Sequence, residues 1–179
     1  MNHLGTKKLE TKRLILRPFN NNDYEEMYNN WANDSRVTKY MTWDPHKDIN
    51  ETKTLVNHWV NSYNKNNFYH WIIYLKEENI VIGSFSIVDI NQDLEEVEIG
   101  YCIGYNWWNQ GLVTEACKEI LNYLLNEVQV KSVVAKHDSR NLASGKVMQK
   151  NNMVYQGEEP FVNKGEDITL IVYRIKKDD

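Results

Sequence analysis

Between residues 95 and 126 the chain changes its hydrophobic period across one short polar turn, and that junction restricts the fold more than any other feature. Residues 95–103 alternate strictly. Val97, Ile99, Tyr101 and Ile103 share one face and Glu96, Glu98, Gly100 and Cys102 the other, which is the pattern of a β-strand. Beyond the turn, Val113, Ala116, Cys117, Ile120, Leu121 and Leu124 recur at helical spacing, so a helix is predicted over 112–126. A strand that feeds a helix directly needs a layered structure in which helices cover a sheet.

The rest of the chain supplies the partners. Residues 14–17 form a short β-like run ending at Pro18, and the polar stretch 20–23 offers caps for a helix to about Asn33. A second helix begins after Asp48 or Asn50 and carries Leu55, Val56, Trp59 and Val60. Residues 68–75 and 80–90 read as a hairpin, 131–136 as a Val-rich strand, and 142–150 as a helix. Strands over 153–158 and 168–175 close the order. Hairpins followed by a βαβ-like half predict an α/β fold, a mixed sheet with helices on both faces. With 179 residues, 41% hydrophobic and 26% charged, and with no repeat or linker, the chain is expected to be one domain over 1–179 with its core at about 9–176.

Several function classes lose their warrant. A net charge of −4 argues against a bulk electrostatic grip on nucleic acid. No segment reaches the length of a membrane span, and the first twenty residues hold no apolar run of the signal-peptide kind. Cys102 and Cys117 lie in apolar segments, which suits a reducing compartment, so a soluble cytoplasmic protein is expected. His3, His46, His58, His70 and His137 have no ligand spacing, so no metal is expected. GxGxxG, Walker A, HExxH, GxSxG and CxxC motifs are absent.

The segment EIGYCIGYNWWNQGLVTEA, residues 98–116, could form an anion site. Backbone N–H groups at Asn109, Gln110, Gly111, Leu112, Val113 and Thr114 would point out of a helix N-terminus, where the dipole favours a phosphate. A plain strand-to-helix turn would look the same. NWWNQGLVTEA also resembles the YWGKGYATEA signature of the GNAT acyltransferase superfamily, in the RimJ/RimL-like branch that includes ribosomal-protein-alanine N-acetyltransferases. LETKRLILRPF at residues 9–19, the pair Asn141 and Ser144 (NxxS), and KNNMVYQGE at 150–158 resemble further stretches of that branch, in the same order.

The resemblance implies a sheet of about seven strands, splayed between the fourth and fifth, and acetyl-CoA as co-substrate. It assigns Tyr101, Cys102 and Ile103 to backbone contacts with the pantetheine arm, the 109–114 backbone to the pyrophosphate, and the Asn141 side chain to a pantetheine amide. Lys146 is placed to meet a phosphate, or is a solvated helix lysine. Three positions depart from the pattern: Asn109 and Asn152 stand where glycine is usual, and Val113 where alanine is usual. Asn tolerates left-handed backbone, so the two turns need not break, whereas Val113 either crowds the cofactor or faces the core.

Acetyl transfer to an amine needs a neutral nucleophile, a stabilised oxyanion and a departing thiolate. An α-amine, with a pKa of about 7.7–8.0, needs less help from a base than lysine at about 10.4. Glu98 is the candidate base, by analogy with the strand carboxylate of the family. Many members protonate the thiolate with a tyrosine, but Met148 stands at that position, which leaves Ser144 as the nearest hydroxyl. Cys102 has no evident histidine partner, so direct transfer in a ternary complex is expected. By the same analogy the acceptor cleft would be lined by 31–46 and by a loop over 160–166. Trp31, Tyr40, Trp43 and Phe161 would be its walls, and Asp34, Asp44, Glu158 and Glu159 would suit a cationic amine. The acceptor is expected to be a protein or peptide N-terminus, or a small amine such as a polyamine or aminoglycoside. A non-catalytic acyl-CoA-binding or interaction module is the alternative, and the molecule would be a monomer or homodimer.

Overall fold

The computed structural model describes residues 1–177; Asp178 and Asp179, the end of the expected unit, lie outside the described residues. Eight strands form one sheet: β1 (Leu9–Glu10), β2 (Leu14–Arg17), β3 (His70–Leu75), β4 (Ile80–Asn91), β5 (Glu96–Ile103), β6 (Ser132–Asp138), β7 (Val154–Asn163) and β8 (Glu166–Lys176). Their spatial order is β1-β2-β3-β4-β5-β6-β8-β7. The β5–β6 pair is parallel and its neighbours are antiparallel. The helices are α1 (Tyr24–Met27), α2 (Ser35–Thr38), α3 (Ile49–Ser62), α4 (Leu112–Asn122) and α5 (Leu142–Lys150). Wider π-type turns prolong α1 through Tyr28–Ala32 and α4 through Tyr123–Val128. The expected mixed α/β sheet is observed, with β1 as an eighth strand too short to show a period.

Both faces of the sheet are covered. Val97 and Ile99 of β5 pack with Ala116, Cys117, Ile120 and Leu121 of α4. On the opposite face Ile72, Val81 and Cys102 pack with Phe19, Met27, Trp31 and Val56, the last from α3. Double-sided burial explains why β3 reads as a continuous apolar run, HWIIYL, rather than an alternating one. Helix α3 starts where its cap predicts, because the Asp48 carboxylate accepts the Asn50 N–H at 2.8 Å.

The feature that shapes the site is a strand pair that stops halfway. β5 and β6 are in register from Glu96↔Ser132 to Ile99↔Ala135 and no further. Beyond that point β5 stays with β4 to Ile103, and β6 stays with β8 to Asp138. These two strands are the fourth and fifth of the expected seven, so the splay lies where it was anticipated. An irregularity of β4 between Ile87 and Asp89 sits opposite Ile99 and Glu98, at the level where the sheet divides.

One expected loop is strand. Residues 160–163 belong to β7, with Pro160 opposite Thr169, and the chain turns only at Lys164 and Gly165, both at positive φ. β7 is an edge strand with most side chains exposed, so it lacks the apolar alternation that would announce it, and its edge position tolerates the proline.

His70, packed among Phe19, Trp59 and Phe68, is pushed down to about 3 by burial. The unfolded chain holds this imidazole near pKa 6.5 and so binds the proton that the native state refuses. Stability is therefore expected to fall as pH drops from about 6.5 toward 3, by up to one proton's worth of slope. Urea unfolding across that range should show a shallower slope in His70→Gln; an unchanged slope would remove His70 from the account.

Candidate functional site

The divided sheet leaves backbone groups of β5 without strand partners. Lys131 N–H donates to Glu95 O, and Gly104 N–H donates to Ile82 O on the other side. Odd-numbered residues of β5 thus direct N–H and C=O toward β6, and even-numbered ones toward β4. Past Ile99, Tyr101 and Ile103 present theirs to the gap. Cys102 turns its backbone to β4, which corrects its expected role as a backbone contact; its thiol lies 3.6 Å from Ser84 Oγ. Ile103 O already accepts the Trp108 indole N–H at 2.9 Å.

The turn into α4 forms the second wall. Asn109 has φ 60° and Gly111 φ 74°, so the chain makes two left-handed steps before the helix, and Asn109 serves in the glycine position as expected. Asn152 likewise adopts φ 60°. No side chain caps α4. The N–H groups of its first turn therefore have no intrahelical partner. Val113 is buried in the cleft wall.

Helix α5 forms the third wall. The Asn141 side chain caps it, accepting the Ser144 N–H at 3.3 Å. Tyr101 Oη lies 3.0 Å from Ser144 Oγ and donates to Ser144 O at 3.1 Å, which joins the free end of β5 to the helix. Burial raises the Tyr101 hydroxyl well above the ordinary tyrosine range. Met148 is 1% exposed and belongs to the core. Gly145 lies against His137, whose Nδ1–H donates to Asp138 O at 2.7 Å and whose ring stacks on Tyr173.

These walls enclose a cleft of about 530 Å³. Tyr101, Cys102, Ile103, Asn109, Gln110, Gly111, Leu112, Val113, Thr114, Asn141, Ser144 and Lys146 all line it, as does Tyr40. The other residues expected as acceptor walls do not. Trp31 is fully buried in the core, Trp43 packs against that same cluster and His46, and Phe161 is 40% exposed on β7. Glu98 is also absent from the lining. It shares its face of β5 with Cys102 but lies on the part of the strand still paired with β6, ion-paired at 3.2 Å with Lys136, which also meets Glu159 at 2.7 Å. Burial alone would lower the Lys136 ammonium, but the two carboxylates outweigh it and hold its pKa above the ordinary lysine range.

The charged residues of the lining are all cationic: Arg36, Arg140, Lys146 and Lys150. Sequence reasoning missed three of them. Arg36 is paired with Asp34 and stacks on Tyr105 at 3.8 Å, and Arg140 is paired with Asp138 and Glu166. Lys150 alone had a readable signal, lying one helical turn after Lys146. The expected acidic lining is replaced by ion pairs, with Asp44 meeting Lys164 and Glu159 meeting Lys136. Among the described residues no group of three or more His, Cys, Asp or Glu side chains could hold a metal, and no helix is long and apolar enough to cross a membrane.

The divided α/β sheet thus sets an open strand edge beside an uncapped helix turn. The acetyltransferase (GNAT) domain model matches residues 13–154, and the chain belongs to that family. The uncharacterized N-acetyltransferase p20 of Bacillus licheniformis is 29% identical over 150 residues, 84% of this chain and 83% of that protein. A GNAT-family acetyltransferase from Bacillus anthracis superposes with a TM-score of 0.85 at 23% identity, covering 97% of this chain and all of the other. RimL, a ribosomal L7/L12 alpha-N-protein acetyltransferase solved with coenzyme A, gives 0.85 at 16% identity, over 96% of this chain and 99% of its own. The structural likenesses establish the shared fold.

A Cβ on Gly145 would come within 2.7 Å of His137 Nε2 and 3.1 Å of Cε1, and the ring is held from both sides. Gly145→Ala is expected to cost about 1–3 kcal/mol through overpacking. In a His137→Ala background the same change should instead stabilise by up to about 1 kcal/mol, from helix propensity alone. Denaturant midpoints of the four proteins check this, and a Gly145→Ala single variant more stable than wild type would refute it.

Proposed function

We propose that the protein is an acetyl-CoA-dependent N-acetyltransferase that passes the acetyl group directly to a primary amine in a ternary complex. The observation that carries this reading is the convergence on one cleft of an unpaired strand edge, Tyr101 with Ile103, and an uncapped helix turn over 109–114. A pantetheine arm is an extended chain with spaced amides, so it can pair with a strand edge as an added strand would. The Asn109, Gln110, Gly111, Leu112, Val113 and Thr114 backbone would receive the pyrophosphate at the positive end of α4. Asn141 would meet a pantetheine amide, and Lys146 with its neighbour Lys150 a phosphate. Both lysines line the cleft.

Direct transfer is favoured because burial raises the Cys102 thiol, which keeps it protonated and a poor nucleophile. Ser144 is proposed to donate a hydrogen bond to the departing sulfur. Glu98 is proposed as the base, reached from the far mouth of the split, one residue before β5 and β6 part. Tyr40 remains the proposed acceptor wall. The acceptor proposed first is a protein or peptide N-terminus, the substrate class of RimL as an alpha-N-protein acetyltransferase. Its α-amine is neutral at a lower pH than that of lysine and suits a base held in an ion pair.

Release of CoA from acetyl-CoA is the test, over peptides with N-terminal Ala or Ser, polyamines and aminoglycosides. We expect acceptor-dependent release, reduced about 10²-fold in Glu98→Gln. Ser144→Ala should lower kcat about tenfold, the loss of one hydrogen bond to a charged group. CoA binding without release for any acceptor would count for a non-catalytic module.

A further inference from the structure

The cleft is backed by a residue from the other end of the chain. Arg13 lies in the turn between β1 and β2, 97 residues before Gln110, and its Nη1 donates to Gln110 O at 2.9 Å. Its Nε meets Glu115 Oε2 at 2.6 Å, and its backbone N–H reaches Glu115 Oε1 at 2.9 Å. Thr11 Oγ1 donates to that same oxygen at 2.6 Å. Burial pushes the Glu115 carboxyl up, but the hydrogen bonds from Thr11 and Arg13 outweigh it and leave it below the ordinary range. Lys76 fixes the turn from beneath through Thr11 O and Glu10. Glu115 is on the first turn of α4, so strand turn, helix and left-handed loop form one strut.

We propose that Arg13 is a positioning residue for an anion seat at the α4 turn, holding the Gln110 carbonyl outside so that the Gly111 N–H faces the cleft. The proposal rests on the acetyl-CoA reading above. Its warrant is the geometry of the peptide unit. A trans peptide points its C=O and the following N–H in opposite directions, and no peptide bond among the described residues is cis. Fixing Gln110 O on the Arg13 side therefore fixes Gly111 N–H on the other. Gly111 carries no side chain that could resist rotation of this unit, and Asn109 and Gly111, on either side of Gln110, are both left-handed, so the turn needs an external hold. A guanidinium can span Glu115 and Gln110 O at once because its donors form a rigid fork, which an ammonium does not. The third nitrogen, Nη2, stands 3.7 Å from where a Gly111 Cβ would be, on the same turn.

Calorimetric titration of the full chain with CoA, dephospho-CoA and pantetheine separates this role from a stabilising one. In Arg13→Gln and in Arg13→Lys, CoA and dephospho-CoA should both bind about tenfold more weakly, while pantetheine, which lacks the pyrophosphate, stays within about twofold of wild type. Equal weakening of pantetheine would make Arg13 a general prop of the fold and overturn the proposal. Full CoA affinity in Arg13→Lys would do the same, since charge alone would then suffice. A loss confined to CoA and spared in dephospho-CoA would assign Arg13 to the 3′-phosphate instead, also against it. Failure of the underlying reading shows separately, as wild-type protein that binds CoA no more tightly than pantetheine.

Discussion

Backbone amides and carbonyls must find partners, and in this sheet one strand is left without them for half its length. β5 pairs with β6 only as far as Ile99 and then runs on to Ile103 beside β4 alone. Everything around the site follows from keeping that edge open without letting it collapse. β4 is irregular opposite the branch point, the starts of α4 and α5 line the gap, and Trp108 satisfies Ile103 O from the side. The groups that remain unpaired, on Tyr101 and Ile103, are spaced for an extended ligand with its own amides.

A divided sheet has two mouths, and their chemistry differs. The cleft mouth is cationic and backed by amides, with Lys146 and Lys150 on one helix face. Charges and polar groups on β6, β7 and the β7–β8 turn are instead paired or tethered. Lys136 bridges Glu98 and Glu159, Lys164 reaches Thr38 O and Asp44, and Asn163 donates to Met41 O. The Asn163 and Lys164 contacts tie the β7–β8 turn to the end of α2 and the segment after it.

Much of this was legible in the sequence because each strong period belongs to an element with a buried face. β5 and α4 announced themselves through Val97, Ile99, Ala116 and Ile120, and of the two starts expected for α3, after Asp48 or after Asn50, the cap at Asp48 is the one used. The turn at Asn109 was readable because left-handed backbone restricts residue type. What escaped depends on orientation or on distance along the chain. Alternation placed Tyr101, Cys102 and Ile103 on the strand, but which of them offers its backbone to the gap depends on the register with β4. Trp31, Trp43 and Phe161 look alike as aromatic residues, and only packing separates the buried Trp31 from the exposed Phe161. Glu98 was visible as a strand carboxylate, whereas its lysine partner is 38 residues later and came from no motif.

The departure at Met148 also finds a physical place. A hydroxyl at that helix position would be buried beside the core, and Met148 fills the volume with no polar group to satisfy. The hydroxyls that do face the cleft come from β5 and the start of α5, Tyr101 and Ser144, 3.0 Å apart. Because burial holds Tyr101 protonated, it can donate and order its neighbour but is a poor source of a proton. With Ser144 O also within its reach, Tyr101 restrains both the backbone and the side chain of Ser144. The orientation of the serine is thus set by the strand edge whose exposure the whole sheet is built to maintain.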